Sequence, residues 1–143
     1  MIHIRPAKKS EIDWVNTCYD EVEFVHSIFE NEVIAVAELE RQRAGLGRLV
    51  RVNDATLELG GIYVFSPFRK KGVAKEIVQF LLHQVKPTQT VYCLPFGHLI
   101  SLYTSFGFAP CASPQEAPKE ITKKLQWCKK KYPCDTLLLQ MKK

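Results

Sequence analysis

Several things are scarce in this chain of 143 residues, and each scarcity removes a class of function. No stretch reaches the roughly 18 to 20 uninterrupted apolar residues that cross a bilayer. Met1-Ile2-His3-Ile4-Arg5 has no apolar signal-peptide core behind it, so a cytoplasmic location with no membrane partner is expected. Cysteine occurs five times, at Cys18, Cys93, Cys111, Cys128 and Cys134, an odd number without a C-x-x-C pair. That spacing suits neither a disulfide framework nor a zinc site, so reduced thiols and no metal are expected. Glycine is sparse as well, with seven residues and neither a Gly-Lys-Ser/Thr ending nor a three-glycine fingerprint, which argues against nucleoside triphosphate and dinucleotide loops. There is no repeat, low-complexity tract or linker, and the length fits one domain over 1–143.

What is present is basic charge. The formal net charge is +5 with a pI near 9.0, concentrated at 69–75 and 119–131 with a smaller group at 41–51. The second group, Lys119, Lys123, Lys124, Lys129, Lys130 and Lys131, reads as the solvated face of a helix. Without interleaved exposed aromatics, the chain is not expected to bind nucleic acid.

The first group is more specific. Gly60-Gly61-Ile62-Tyr63-Val64-Phe65 is a β-rich run that breaks at Pro67 into Arg69-Lys70-Lys71-Gly72, after which a helix opens. Backbone N–H groups at a helix start lack intrahelical acceptors and lie at the positive end of the macrodipole, so an anion satisfies several together. Cations at that end oppose the dipole unless an anion joins them, and Arg69, Lys70, Lys71 and Lys75 cluster there. Gly72 leaves room for close approach. The loop reads as a cradle for a polyphosphate.

Along the chain, Ile2–Arg5 predicts a short strand ending at Pro6, followed by a helix over Glu11–Tyr19 capped by Ser10. Ser27-Ile28-Phe29 and Val33–Leu39 around Glu30-Asn31-Glu32 predict a hairpin, and Arg48–Val52 and Thr56–Leu59 around Asn53-Asp54-Ala55 predict a second. The paired glycines suggest a bulge or a close backbone approach. From Gly72 to Val85 the apolar residues Val73, Ile77, Phe80, Leu81 and Val85 share a helical face that Pro87 ends. Thr90–Leu94 reads as a buried strand, hence a β-α-β unit with a parallel pair. Leu99, Leu102, Tyr103 and Phe106 form a further helix stopped by Gly107, and Ser113 and Pro118 compete to start a last helix carrying Ile121, Leu125, Cys128 and Tyr132 until Pro133. Thr136–Met141 is expected to be a final strand.

This order, with Arg69-Lys70-Lys71-Gly72-Val73-Ala74 after a strand and Leu102-Tyr103-Thr104-Ser105-Phe106-Gly107-Phe108 on a helix, resembles the GNAT superfamily of acetyl-CoA-dependent N-acetyltransferases over roughly residues 2 to 110. The resemblance implies an α/β fold: a twisted, mixed but mostly antiparallel sheet of about six or seven strands flanked by about four helices, with a V-shaped splay between the central strands. It implies that coenzyme A lies with its pyrophosphate on Lys71, Gly72, Val73, Ala74 and Lys75, near Arg69 and Lys70. The pantetheine arm would pair with the backbone of Ile62, Tyr63 and Val64. A backbone N–H near Val64 would polarise the thioester carbonyl. Phe96 stands about where family members often carry an asparagine that bonds the cofactor, so the wall there is expected to be less polar.

Tyr103 is the expected general acid toward the departing thiolate, with a core tyrosine as the plainer reading. Glu58 is the expected base for the amine, directly or through water. Its plainer readings are a solvent-facing strand residue or a salt-bridge partner. His98 is a lesser candidate, and Trp14 and Trp127 read as packing residues. The expected function is acetyl transfer from acetyl-CoA to a primary amine of a small molecule or peptide, without metal or covalent enzyme intermediate, by a monomer or homodimer. The alternative is a catalytically degenerate acyl-CoA-binding regulatory module. Glu21, Glu23 and Glu30 would suit a cationic acceptor.

Overall fold

The computed structural model describes residues 1–95, 99–131 and 137–142. Seven strands form one sheet in the order β1-β2-β3-β4-β5-β7-β6. They are β1 (Ile2–Pro6), β2 (Glu32–Leu39), β3 (Gln42–Asn53), β4 (Thr56–Val64), β5 (Thr90–Cys93), β6 (Ala109–Pro110) and β7 (Leu139–Lys142). Among the described residues four α-helices accompany them: α1 (Ile12–Glu21), α2 (Val73–Leu82), α3 (Ile100–Ser105) and α4 (Lys119–Lys131). Among the described residues only β4 and β5 pair in parallel; β1–β2, β2–β3, β5–β7 and β6–β7 are antiparallel, and the two-residue connection Asp54-Ala55 requires the same of β3 and β4. The expected mixed, mostly antiparallel sheet is therefore present, with the parallel pair at the β-α-β unit.

The chain forms two compact units: residues 1–50 with 61–84, and residues 51–60 with 85–143. In the first, α1 buries Val15, Cys18 and Tyr19 against Ile34 and Val36 of β2 and Leu46 of β3, with Trp14, Phe24, Phe29, Tyr63 and Phe65 packed around them. On α2, Val73, Ile77 and Leu81 are fully buried. That helix lies close on β3 because Gly45 and Gly47 have no side chains: a Cβ at Gly45 would stand 3.4 Å from Ile77 Cδ1, and one at Gly47 would run into Ile77 Cγ2 and stand 3.2 Å from Leu81 Cδ1. In the second unit, Ile121 of α4 packs with Tyr92, Ala117 and Leu138, with Leu125 beside them.

Several sequence expectations are corrected. Ser10 caps nothing: residues 9–11 form a 3-10 turn, and the Glu11 carboxylate instead accepts the Lys8 N–H at 2.9 Å. No hairpin forms over 27–39, because the Asn16 side chain takes both backbone groups of Ser27, accepting its N–H at 2.6 Å and donating to its carbonyl at 3.2 Å. A strand needs those groups for its ladder. The hairpin at that end joins β2 to β3 through Glu40 and Arg41, both at positive φ (53° and 65°). Helix α2 ends at Leu82, ahead of Pro87, although Val85 is still buried. Pro118 prevails over Ser113: its carbonyl accepts the N–H groups of Ile121 and Thr122, while 114–116 make a separate 3-10 turn. The assignments to Phe96, His98, Tyr132, Pro133, Cys134 and Thr136 lie outside the described residues. Among the described residues no helix is long and apolar enough to cross a membrane.

Candidate active site

The end of β4 and the loop after it belong to the first unit. Pairing of β4 with β5 covers only Thr56–Leu59, while β4 runs on through Gly60 and Gly61 to Val64. At Gly61 the backbone turns to φ 61°, and its carbonyl accepts the Tyr19 phenol at 2.8 Å. A Cβ there would stand 2.6 Å from Tyr19 Oη and 2.9 Å from Arg48 Nε, so glycine is required by both conformation and space. The Arg48 guanidinium lies 4.4 Å over the Tyr19 ring and donates to the Val25 carbonyl and to Ser27 Oγ, each at 2.8 Å. Thus the irregularity expected from the paired glycines is real, and it is braced by two buried side chains from α1 and β3. Sequence reading missed Tyr19 and Arg48, since nothing local marks either one.

After β4 the chain makes a 3-10 turn at Ser66–Phe68, and Arg69 Nε reaches back to the Val64 carbonyl at 3.1 Å. Lys70 takes φ 63° and Gly72 φ 85° before α2 begins. The first helical bond runs from the Glu76 N–H to the Gly72 carbonyl, so the amides of Val73, Ala74 and Lys75 precede any intrahelical acceptor. Lys70, Lys71, Gly72 and Lys75 are exposed, and a Cβ on Gly72 would meet nothing within 4 Å. Free amides, an approachable backbone and nearby cations are what a pyrophosphate needs.

Glu58 and Tyr103 belong to the second unit. Glu58 is buried on β4, 7% exposed, and so are its neighbours Leu57 and Leu59, so the strand has no solvent face here. Its Oε2 is 2.7 Å from Lys124 Nζ of α4, which makes the salt bridge the correct one of the two plainer readings. Lys124 correspondingly leaves the group of solvated lysines. Tyr103 lies buried on α3 with its ring edge-on to Phe108, centroids 5.7 Å apart. Gly107 follows at φ 104° and ends the helix as expected.

Burial pushes the thiols of Cys18, Cys93 and Cys128 up, away from the nucleophilic thiolate. Trp14 is a packing residue, edge-on to Phe65 at 6.1 Å with the Arg43 guanidinium 4.0 Å over its ring, whereas Trp127 is 40% exposed. Of the remaining histidines, His3, His26 and His83 are exposed. Among the described residues no group of His, Cys, Asp and Glu is placed to hold a metal ion.

The fold has solved counterparts. Rv2747 from Mycobacterium tuberculosis, crystallised with CoA, superposes with a TM-score of 0.76 at 16% identity, over 99% of each chain. A GNAT family acetyltransferase from Elizabethkingia anophelis with acetyl-CoA bound gives 0.68 at 16%, over 99% of this chain and 98% of that one. The N-acetylglutamate synthase of Neisseria gonorrhoeae, complexed with coenzyme A and N-acetyl-glutamate, gives 0.71 at 14%, with 98% of this chain matching 34% of the longer enzyme. No curated protein sequence matches the chain. At such identities these superpositions speak for the fold, and the stronger statement comes from sequence: the profile of the acetyltransferase (GNAT) domain matches residues 30–110, more than half of the chain, and encloses β4, the Arg69–Lys75 loop and Tyr103. By that match the chain belongs to the GNAT acetyltransferase family.

Proposed function

We propose that the protein transfers an acetyl group from acetyl-CoA to a primary amine by direct attack. The observation that carries this reading is the Arg69–Lys75 loop, where Gly72 at φ 85° leaves free amides open to an anion among four cationic side chains. The amides of Lys71, Gly72, Val73, Ala74 and Lys75 would hold the pyrophosphate, with Arg69 and Lys70 nearby. Ile62, Tyr63 and Val64 would offer strand-like backbone to the pantetheine amides. Acetyl-CoA, when bound, supplies an activated thioester.

Glu58 takes the proton from the incoming ammonium, whose nitrogen otherwise has no lone pair for attack. Tyr103 gives its phenolic proton to the leaving sulfur. The raised thiols of Cys18, Cys93 and Cys128 support direct attack over an acyl-cysteine route. The relatives point to amine acceptors by name, N-acetylglutamate synthase and ribosomal-protein-S18-alanine N-acetyltransferase among them. Isothermal titration with acetyl-CoA tests the cofactor: saturable binding is expected, and none at millimolar concentration rejects the reading.

One observation favours a second reading. Lys124 already occupies the Glu58 carboxylate, as it would in a module that binds acyl-CoA without turnover. Thiol release with a panel of primary amines separates the two: the enzyme loses it in Tyr103→Phe, whereas a binding module shows only background hydrolysis in both forms.

A further inference from the structure

Lys124 differs from every other lysine on its helix. It is spaced three residues after Ile121 and four before Cys128, both buried, so it belongs to the face that α4 turns toward the sheet. Its side chain is 30% exposed, while Lys119, Lys123, Lys129, Lys130 and Lys131 are solvent-exposed. The sheet face is the one bearing Glu58: that residue is the register partner of Tyr92, and Tyr92 packs against Ile121. Lys124 is thus an amine delivered to a carboxylate from the same side. The pair is weak evidence for a purely stabilising role, because a buried ion pair gains little over an apolar pair of similar volume.

The geometry points to Lys124 as an internal acyl acceptor, an ε-amine that the protein acetylates on itself. This rests on the reading of acetyl-CoA as donor and Glu58 as base. At 2.7 Å, Oε2 is within proton-transfer distance of Nζ. The carboxylate takes one proton from the ammonium, and the freed lone pair forms the N–C bond to the acetyl carbonyl. The C–S bond breaks, and the thiolate leaves as the thiol with the Tyr103 proton. The second amine proton restores the phenol, and the first passes from Glu58 to water. The product is a neutral amide, which ends the ion pair and leaves Glu58 free to meet an external ammonium.

The test incubates the full chain with isotope-labelled acetyl-CoA and follows each lysine by peptide mass spectrometry. Lys124 should acquire label roughly tenfold or more faster than Lys123, the exposed neighbour that reports uncatalysed acetylation. The first-order rate should not change on dilution of the protein, as an intramolecular step demands. Glu58→Gln should abolish the preference while leaving Lys123 labelling unchanged. Tyr103→Phe, which keeps the buried ring, should slow Lys124 labelling if the Glu58 variant does not fold. Equal labelling of Lys124 and Lys123, or a rate proportional to protein concentration, overturns the inference. Calorimetry on the same sample separates the two layers. If acetyl-CoA binds and Lys124 is not preferred, only this inference falls; if it does not bind, the functional reading falls and takes the inference with it.

Discussion

Two buried glutamates, one in each unit, show what a carboxylate's partners say about its purpose. Glu11, 6% exposed, is surrounded: Arg5 reaches it through two nitrogens at 2.8 and 3.0 Å, Arg43 approaches at 3.1 Å, and the Lys8 N–H adds a bond at 2.9 Å. Glu58 is equally buried but, among the described residues, has a single partner, the Lys124 ammonium. The first arrangement ties β1 and β3 to the start of α1 with every oxygen engaged. The second, among the described residues, engages one oxygen with a lysine side chain that is 30% exposed and can be exchanged for another amine. A saturated carboxylate is a structural clamp, and an under-partnered one is available for chemistry.

The largest expected effect separates the two sites by what they lose. Glu58→Gln keeps shape while removing the base, so acetyl transfer to the best amine of a panel should fall about 10²- to 10⁴-fold. Lys124 can rehydrate, so the accompanying stability loss should stay near 1 kcal/mol or less. Thiol release and thermal melting of the same preparation check both halves. Full activity with a large drop in melting temperature would make Glu58 a second clamp and dissolve the contrast.

Glu11→Gln should do the reverse. The Arg5 hydrogen bonds foremost hold its carboxyl down at about 2, against an ordinary value of 4.5. A depressed folded-state pKa contributes stability that is fully present above the unfolded value and is lost as pH falls through the folded one. Here that window runs from about 4.5 down to about 2. The difference corresponds to about 3 kcal/mol at neutral pH. Urea unfolding at pH 7 should show Glu11→Gln less stable by that order, and the gap to wild type should narrow as pH approaches 2. A gap independent of pH would mean that packing, and not the charge, carries the residue.

The same contrast explains how much could be read from the chain itself. Local signals were legible: the Val73, Ile77 and Leu81 stripe, Gly107 after α3 and Gly72 at the helix start follow from spacing along one element, and the parallel pair follows from the β-α-β order of consecutive elements. Signals carried by distant partners were not. Asn16 removes Ser27 from any strand, and Tyr19 reaches Gly61 from α1, in both cases through contacts that no short window contains. The β2–β3 turn escaped because Glu40 and Arg41 adopt positive φ without the glycine or asparagine that usually marks it. Glu58 could be nominated from its strand, but its counter-ion lies on α4, whose lysines look alike in sequence.

Dismantling the Glu11 site one partner at a time gives the smaller effects. Arg5→Met removes the two-nitrogen grip and should cost about 2 kcal/mol, since charge-assisted paired hydrogen bonds are the strong ones. Arg43 is more exposed than Arg5 and makes one contact to the same carboxylate, with its guanidinium 4.0 Å over Trp14. Exposed pairs and cation–π contacts at the rim are each worth little, so Arg43→Met should cost about 1 kcal/mol or less. Urea midpoints at pH 7 for the two variants rank them directly. The order Arg5 above Arg43 is what a redundant clamp requires, because Glu11 retains its principal partner when Arg43 is lost. If Arg43→Met proves as costly as Glu11→Gln, the carboxylate hangs on one exposed side chain, and Glu11 resembles Glu58 in kind.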